Sequence, residues 1–367
     1  MSTCGVLPPQ EIRRLVERGL LRGVDRGNIR QATVDLTITN EAYRVAGLFR
    51  PQQGQSVRAA LQATGAEPCS LDDPFIPPQV YLIRLGERYD LPVGMNLRTN
   101  PRSSTGRLFI RTRIIADGID GFGYVSGAFV GGLWVLVQPT VFAIQLTVGD
   151  ALTQCRFSEG DAGLTTDEFY RAIDRDHILW QRGGVKPLGT NELHFNEDGA
   201  RIYLSVDLAS DVAGWEAVAS DHVITFSRMR RYRRSDFFKP LALPHRRIIL
   251  RQGRRYIFRT REWVRLPPWY FGTHPEYHPE LGEFISNYAG FVMPGWGWGA
   301  SGEGVGRPIT LEVTAFEDFL IEDGQLLASL SLERLTDPSD AHYDATETSS
   351  YTTLTAAPPL SKHFTSE

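Results

Sequence analysis

The chain is poor in the features that mark secreted, disulfide-bonded and membrane-spanning proteins. Its three cysteines, Cys4, Cys69 and Cys155, are odd in number and scattered, so we expect reduced thiols rather than a disulfide framework. No run of about 18 apolar residues occurs, so the sequence predicts no membrane-spanning helix. The opening stretch MSTCGVLPPQEIRRL lacks the basic, apolar and small-residue sections of a secretion signal. These absences predict a cytoplasmic protein without a membrane partner.

A strong net charge is also missing, because 39 basic and 43 acidic residues leave −4 over 367 residues. One segment departs from this balance: residues 228–261 contain thirteen arginines or lysines and one acid, Asp236. A basic segment interleaved with aromatic residues can bind nucleic acid. The alternating stretch RYIFRTREWVRL instead favours an edge hairpin whose arginines face solvent or pair with acids elsewhere. We favour the hairpin and do not expect a nucleic-acid partner.

Most of the chain has the pattern of short strands separated by Gly, Pro and Asp turns, as in VYLIRL and RPITLEVTAFEDFLIEDGQLLASLSLERL. One helix is predicted between Pro8–Pro9 and Gly19, with an apolar face. A second is predicted at TTDEFYRAIDR, where Thr165 and Glu168 have the spacing of a capping box. The sequence therefore predicts an all-β protein with a few short helices.

Two pairs of similar segments are separated by nearly the same interval, a little under half of the chain. QATVDLTI (31–38) corresponds to YLSVDLAS (203–210), and TVGDALTQCRF (147–157) corresponds to EDGQLLASLSL (322–332). The shared offset indicates a tandem duplication of one domain. We predict a first domain over 1–160, a linker with a short helix over 161–200, a second domain over 201–335, and a Ser/Thr/Pro-rich tail over 336–367 that is mobile unless docked.

The stretch NPRSSTGRL, residues 100–108, has the composition of a phosphate-binding loop. Arg102 and Arg107 supply forked donors, Ser103 and Ser104 supply hydroxyl groups, and Gly106 allows close approach of the backbone. No Walker-type or Gly-x-Gly-x-x-Gly spacing is present. From the pattern alone, an ordinary polar turn therefore stays open.

The same stretch resembles the arginine-serine-serine-x-x-arginine motif of the dCTP deaminases, which belong to the trimeric dUTPase-like superfamily. IRQATVDLTI resembles the opening strand of that family, NYAGFVMPGWG with ITLEV its turn and catalytic strand, and PPLSKHF the ending of its long, duplicated form. The resemblance implies two tandem dUTPase-like distorted β-barrel domains, a deoxynucleoside triphosphate bound with Mg²⁺, self-association, and hydrolytic deamination of dCTP to dUTP.

The resemblance also implies that a glutamate moves the proton, and this glutamate falls on Glu312 in ITLEV. No zinc is expected, because Pro68-Cys69 lacks the second cysteine of the zinc-dependent deaminases. The spacing of His274 and His278 in HPEYHPE is closest to a metal motif, but its prolines disfavour a helix there. On strand periodicity alone, Glu312 can equally be a solvent-facing position that it shares with Thr310.

The two halves are asymmetric. The first has Leu136 or Val137 where the second has Glu312, and the second has no counterpart of the Arg/Ser cluster between residues 267 and 287. We therefore predict one composite site, with the cluster facing Glu312. The resemblance adds Tyr351 and Lys362 from the tail, which lacks the glutamines that follow the tyrosine in relatives.

Other acids have weaker claims to the site. Asp117 and Asp120 can replace a missing acid or merely form a turn. Asp35 and Asp207 are expected to be structural, accepting backbone hydrogen bonds at the start of a strand.

Three functions follow from these observations. We favour a dCTP deaminase whose C-terminal tail closes over the base. Met293, where relatives have an aspartate, favours a catalytically degenerate member that binds a nucleotide as a sensor. The same residue argues against a dUTP pyrophosphatase, which needs that aspartate for its attacking water.

Overall fold

The computed structural model describes residues 4–346, 351–353 and 355–365. In these residues the helices are α1 Pro9–Glu17, α2 Val57–Gln62, α3 Ser103–Gly106 and α4 Thr166–Asp176, with 3₁₀ turns at Arg26–Asn28, Thr190–Glu192 and Arg234–Asp236. The strands are β1 Gly5–Val6, β2 Leu21–Arg22, β3 Val34–Leu36, β4 Ile38–Val45, β5 Glu67–Pro68, β6 Val80–Asp90, β7 Met95–Pro101, β8 Ile110–Ala116, β9 Tyr124–Val125, β10 Val130–Pro139, β11 Ile144–Gln145, β12 Thr153–Glu159, β13 Leu179–Trp180, β14 Ile202–Ser205, β15 Gly214–Ala217, β16 Ile224–Thr225, β17 Phe238–Leu241, β18 Arg247–Leu250, β19 Arg255–Val264, β20 Tyr270–Thr273, β21 Phe284–Ile285, β22 Phe291–Val292, β23 Arg307–Ala315, β24 Phe319–Glu322 and β25 Leu326–Arg334.

The chain forms two compact units. The unit that we call the N-terminal unit contains Pro9–Gly160, Val218–Phe237 and the described residues from Ser361 onward. The C-terminal unit contains the described residues up to Pro8, then Asp161–Ala217 and the described part of Phe238–Leu360. Each unit is therefore built from segments that are distant in the sequence. No helix in the described residues is long and apolar enough to cross a membrane.

The N-terminal unit is built mainly from two sheets. One has the strand order β5-β4-β6-β10-β8, with β2 also paired to β6. The other contains β12-β7-β9, with β3 also paired to β12. A short parallel pair joins β11 to β16, through Ile144 and Ile224. Helix α2 covers one face of the first sheet, because its Val57 and Leu61 belong to an apolar cluster with strand residues Leu82, Trp134 and Leu136.

The C-terminal unit repeats this plan. Its first sheet has the order β17-β15-β19-β23-β21, with β13 paired to β19, and its second has the order β14-β25-β20-β22. The pairing of β7 with β12 recurs in that of β20 with β25. Leu97 lies opposite Phe157 in the first case, and Gly272 lies opposite Leu332 in the second. Both members of the later pair follow their counterparts by the same interval, which confirms the predicted duplication.

Both predicted helices are present. Helix α1 begins at Pro9, and α4 begins after Thr165, whose side chain accepts from the Glu168 backbone in the predicted capping box. Residues 161–200, predicted as a linker, are part of the C-terminal unit, to which α4 and β13 belong. Phe169 and Ile173 of α4 and Leu179 of β13 are buried in its core.

The basic segment 228–261 differs from the edge hairpin that its alternation suggested. Strand β19 is a central strand between β15 and β23, because its apolar face completes the core of the sheet. The expectation that its arginines pair with acids elsewhere in the chain is confirmed for two of them: Arg259 pairs with Asp207, and Arg261 pairs with Asp323.

A tyrosine anchors the equivalent strand of each unit. The hydroxyl of Tyr81 accepts a hydrogen bond from the backbone N–H of Ile76 at 3.1 Å. The hydroxyl of Tyr256 accepts one from the N–H of Arg251 at 3.0 Å, so the same bond recurs at the equivalent position of the second unit. Each tyrosine fixes the start of the strand that sets the register of its sheet.

We expect Tyr81→Phe and Tyr256→Phe to destabilise the protein by similar amounts, about 1–3 kcal/mol each, because each leaves an N–H without its acceptor. Urea unfolding followed by tryptophan fluorescence measures both, and the exposed Tyr124→Phe is a control. A cost confined to one of the two tyrosines would contradict their structural equivalence.

The loop after β20 is the counterpart of the segment that carries the Arg/Ser cluster after β7. It is not helical, as its prolines predicted, and it contains two buried histidines, His274 and His278. Burial, together with the neighbouring His278, lowers the pKa of His274 to about 3. Nε2 of His278 lies 3.3 Å from the hydroxyl of Ser329. The second unit therefore has neutral, buried imidazoles in the loop where the first unit has the cluster.

Acid should destabilise the C-terminal unit through His274. In the unfolded chain its pKa returns to about 6.5, so between that pH and pH 3 the unfolded state binds more protons and the free energy of unfolding falls as pH falls. The expected loss between pH 7 and pH 5 is about 2 kcal/mol. Urea unfolding at both pH values should show this loss in the wild type and in the exposed-site control His245→Gln. His274→Gln should reduce it, and an unchanged pH dependence in that variant would contradict the assignment.

Candidate functional site

The Arg/Ser cluster folds as a single helical turn at the end of β7. Arg102 precedes helix α3, and Arg107 follows it and donates its backbone N–H to the carbonyl of Ser103. Arg102 and Ser103 keep part of their surface exposed, whereas Ser104, Gly106 and Arg107 are buried. The predicted residues are therefore adjacent, but Arg107, at 3% exposure, is packed inside the unit.

Arg102 is held rigidly by a buried carboxylate. Its Nε lies 3.1 Å from Oδ1 of Asp35, and its Nη1 donates to the carbonyl of Ala151 at 3.2 Å. Asp35 is 1% exposed and also accepts from Arg30 at 2.7 Å. Asp35 is structural, as predicted, but it acts by pairing with two arginines. Because a buried charge requires such partners, Asp35 fixes both guanidinium groups at one place.

Lys362 joins this group from the C-terminal peptide. Burial, together with the positive charges of Arg102 and Arg30 and against the opposing effect of Asp35, lowers the pKa of Lys362 to about 8. Three cations, Arg30, Arg102 and Lys362, therefore interact with the buried Asp35, and a second carboxylate, Asp150, interacts with Arg102. This surplus of positive charge is the electrostatic signature of an anion-binding site. Arg30 was not among the predicted site residues, although it lies in the stretch IRQATVDLTI.

The C-terminal peptide is docked where it is described. The backbone N–H groups of Arg230 and Arg231 donate to the carbonyls of Lys362 and His363 at 3.0 and 2.9 Å. Phe364 forms a parallel bridge with Tyr232. Part of the basic segment therefore holds the chain end in the N-terminal unit, which supplies the docking that the predicted tail required.

Glu312 occupies the centre of strand β23 in the C-terminal unit. It is 2% exposed, so the alternative of a solvent-facing position is wrong. Its Oε2 accepts the backbone N–H of Tyr288 at 3.0 Å. The hydroxyl groups of Tyr288 and Thr314 lie 3.0 Å apart. The carboxylate thus lies in a buried, polar and hydrogen-bonded environment.

The strand register identifies the counterpart of Glu312. Glu312 is opposite Ile257, and Leu136 is opposite Leu82, the residue equivalent to Ile257. Of the two residues that the sequence allowed, Leu136 is therefore the structural equivalent. The face of β10 that carries Trp134 and Leu136 is apolar and packs with α2, whereas the matching face of β23 carries polar residues, Thr310, Glu312 and Thr314. Only the position in β23 thus combines burial with a carboxylate.

The turn before β23 carries Met293, which is 9% exposed and accepts the backbone N–H of Trp296 through its carbonyl. Gly295 has φ +84°, and a Cβ there would lie 2.6 Å from His342. A glycine is therefore required where the chain following β25 crosses this turn.

Tyr351 also packs in the C-terminal unit. Its carbonyl accepts from Nη1 of Arg307 at 3.0 Å, and its N–H donates to the hydroxyl of Tyr343 at 3.2 Å. Arg307 pairs in turn with Asp344. The two predicted tail residues, Tyr351 and Lys362, consequently belong to different units.

Asp117 and Asp120 have structural contacts. Asp117 accepts the backbone N–H of Val57 at 2.7 Å at the start of α2, and the exposed Asp120 pairs with Arg50. These contacts agree with the turn-forming interpretation of both residues. Asp207 pairs with Arg182 and Arg259 in the C-terminal unit, in the same manner as Asp35.

Within the described ranges, no group of three or more His, Cys, Asp or Glu side chains has the arrangement of a metal site. His274 and His278 are buried together, but the carboxylate near them, Glu280, lies 3.7 Å from Nδ1 of His278 and is largely exposed. These side chains do not complete a metal-binding set.

Comparisons with known proteins agree with this fold. A profile of the 2'-deoxycytidine 5'-triphosphate deaminase N-terminal domain matches residues 3–161, and one of the C-terminal domain matches residues 181–364. The crystal structure of 2'-deoxycytidine 5'-triphosphate deaminase from Agrobacterium tumefaciens is similar to this chain, with a TM-score of 0.82 and 28% sequence identity over 92% of this chain and 100% of that one. No curated protein sequence gives a significant match. The chain belongs to the 2'-deoxycytidine 5'-triphosphate deaminase family and has its all-β, tandem dUTPase-like fold.

Proposed function

We propose that the protein removes the amino group of the cytosine ring of dCTP by hydrolysis, releasing dUTP and ammonia. The observation that carries this proposal is Glu312, a buried carboxylate on a polar strand face in a chain of this family. The proposed roles are proton transfer for Glu312 and triphosphate binding for Arg102, Ser103 and Lys362. The prediction that these groups serve one composite site stays a prediction, as does self-association.

Deamination requires a water to become nucleophilic and a proton to reach the leaving amine. In the proposed reaction, Glu312 removes a proton from water as its oxygen attacks ring carbon 4 and delivers this proton to ring nitrogen 3. It then takes the proton of the new hydroxyl group and passes it to the amino group, so that the carbon–nitrogen bond breaks, ammonia leaves and the carbonyl of dUTP forms. A positioned carboxylate is suited to both transfers. The N–H of Tyr288 fixes the orientation of this carboxylate. All proton steps are assigned to Glu312, so the proposal requires no zinc-bound water.

The cluster of Arg30, Arg102 and Lys362 suits a triphosphate. Guanidinium groups bind phosphate oxygens in pairs, and the partial burial of the cluster strengthens each contact. Magnesium would be held by the triphosphate oxygens, because the carboxylate of this cluster, Asp35, is already engaged by two arginines. Its contribution would be to neutralise the charge of the bound nucleotide.

A nucleotide sensor without turnover is the second candidate. The observation that favours it is Met293, a buried thioether where relatives have an aspartate that organises the sugar and water. Such a protein would bind dCTP or dTTP through the same cluster and release no ammonia.

Glu312→Gln should lower the turnover of dCTP by roughly 100-fold or more, because it removes the proton-transfer group while keeping the shape of the side chain. Formation of dUTP and ammonia with Mg²⁺ measures this effect. Glu262→Gln is the matched control, since Glu262 is a carboxylate on the adjacent strand β19 whose pKa is raised by burial and which accepts a hydrogen bond from Ser205. Equal losses in both variants would contradict the role of Glu312. Saturable nucleotide binding without turnover in the wild type would support the sensor.

Arg102→Ala should weaken binding of dCTP to the Glu312→Gln protein by roughly 10- to 100-fold, because hydrogen bonds to charged groups are lost. Calorimetric titration measures the dissociation constant. Arg259→Ala is the matched control, because Arg259 binds the buried Asp207 as Arg102 binds Asp35 and so has the same structural role. An equal loss of affinity in the control would indicate a structural effect and oppose phosphate binding by Arg102.

A further inference from the structure

The C-terminal peptide forms a hydrogen-bonded chain with the Arg/Ser cluster. The hydroxyl of Ser361 lies 2.9 Å from the carbonyl oxygen of Ser104, inside helix α3, and 2.8 Å from Nδ1 of His363. Nε2 of His363 lies 2.8 Å from the carbonyl oxygen of Phe226. All four residues are nearly inaccessible to solvent, with His363 at 0% and Ser361 at 2% exposure. This chain connects the chain end directly to the backbone of the proposed triphosphate site.

A count of hydrogens shows that the neutral chain is incomplete. The carbonyl of Phe226 can only accept, so Nε2 of His363 carries a hydrogen. In a neutral imidazole, Nδ1 then has none and must accept. The single hydroxyl hydrogen of Ser361 is therefore claimed by two acceptors, Nδ1 of His363 and the carbonyl of Ser104. A protonated His363 donates from both nitrogens, and Ser361 is then free to donate to Ser104.

The surroundings of His363 oppose protonation until an anion arrives. Burial is the main cause that lowers the pKa of His363 to about 4; the hydrogen bond to the Phe226 carbonyl opposes the shift, and the charges of Lys362 and Arg102 add to it. The segment 218–237 faces the ring with the Phe226 side chain, at a centroid distance of 5.0 Å, while the backbone N–H groups of Arg230 and Arg231 donate to the backbone carbonyls of Lys362 and His363. Asp35 and Arg30 interact electrostatically with Lys362, the residue before His363. A triphosphate bound to Lys362 and Arg102 would offset their repulsion of a protonated His363 and add an attractive negative charge nearby, so that its binding favours protonation despite the burial of the ring.

We propose that Ser361 and His363 are positioning residues of the triphosphate site, which take up one proton when the nucleotide binds and thereby hold the carbonyl of Ser104 in place. The inference rests on the proposed function, because it takes the Arg/Ser cluster as the phosphate-binding group. It assigns the chain end a role beyond that of a lid, since the peptide stabilises the cluster from inside the unit.

The test is calorimetric titration of the full-length Glu312→Gln protein with dCTP and Mg²⁺ at pH 5.5, in two buffers that differ in their heat of ionisation. The difference in heat gives the number of protons taken up on binding. Lys362 is protonated before and after binding at this pH, so its contribution is small. The contribution of the nucleotide itself is removed by comparison with the same protein carrying His363→Asn.

His363→Asn is the informative variant, because its amide N–H can replace the Nδ1–H of a protonated histidine without titrating. We expect it to bind dCTP about as well as the parent protein but to take up nearly one proton fewer. Ser361→Ala should bind roughly three- to tenfold more weakly, since the Ser104 carbonyl loses its donor. Identical proton uptake in the parent and His363→Asn proteins would overturn the proposal.

The outcome also separates this inference from the proposed function. Binding of dCTP that depends on Arg102 but shows no His363-dependent proton uptake rejects the positioning role and leaves the phosphate site standing. If dCTP does not bind, inorganic triphosphate is the probe, because it presents the same charge to Arg30, Arg102 and Lys362. Proton uptake with inorganic triphosphate would support the Ser361–His363 role without dCTP as substrate, and absence of binding would overturn both.

Discussion

The antiparallel register of the central strands is the constraint on which the rest of the molecule depends. Side chains alternate between the two faces of a strand, so a shift of one residue would move Glu312 to the face that Leu311 and Val313 occupy in the core. The hydroxyl of Tyr256 in the C-terminal unit and that of Tyr81 in the N-terminal unit fix equivalent strands at equivalent positions. At the equivalent position on that face, the N-terminal unit has the apolar Leu136 and the C-terminal unit has the carboxylate of Glu312.

Buried charge explains where the proposed binding groups lie. Asp35 and Asp207 are each surrounded by two arginines, because a buried carboxylate is stable only when it is paired and hydrogen-bonded. In the C-terminal unit, Arg259 also donates to Ser210 and to the carbonyl of Thr355, so its donors are consumed within the protein. In the N-terminal unit a third cation, Lys362, is added to the pair. The buried aspartate with two arginines therefore occurs in both units, but only in the N-terminal unit does a third cation add positive charge to it.

The sequence predicted the features that are encoded locally or by repetition. The capping box at Thr165 and the repeat offset each depend on a short pattern that can be read directly, whereas Glu312 was identified through the resemblance of ITLEV to a known strand and its role stays a prediction. Features that depend on distant partners were missed. The place of Arg30 in the cluster depends on its interactions with Asp35 and Lys362. The hydrogen bonding of His363 depends on the carbonyl of Phe226, which lies far from it in the sequence. The unit boundaries were not predicted for the same reason. Residues 218–237 and the described residues from Ser361 onward belong to the first unit, and composition does not show that distant segments pack together.

Duplication gives a physical reason for the unequal distribution of these groups. A buried carboxylate reduces stability unless it is fully hydrogen-bonded, so one copy loses little by replacing it. In the N-terminal unit this position is Leu136, whose apolar side chain packs with Val57 and Leu61 of α2. The C-terminal unit keeps Glu312 and instead has neutral histidines in the loop equivalent to the cluster. Each unit thus carries one of the two sets of polar groups, the Arg/Ser cluster in the N-terminal unit and Glu312 in the C-terminal unit, so neither unit alone has both.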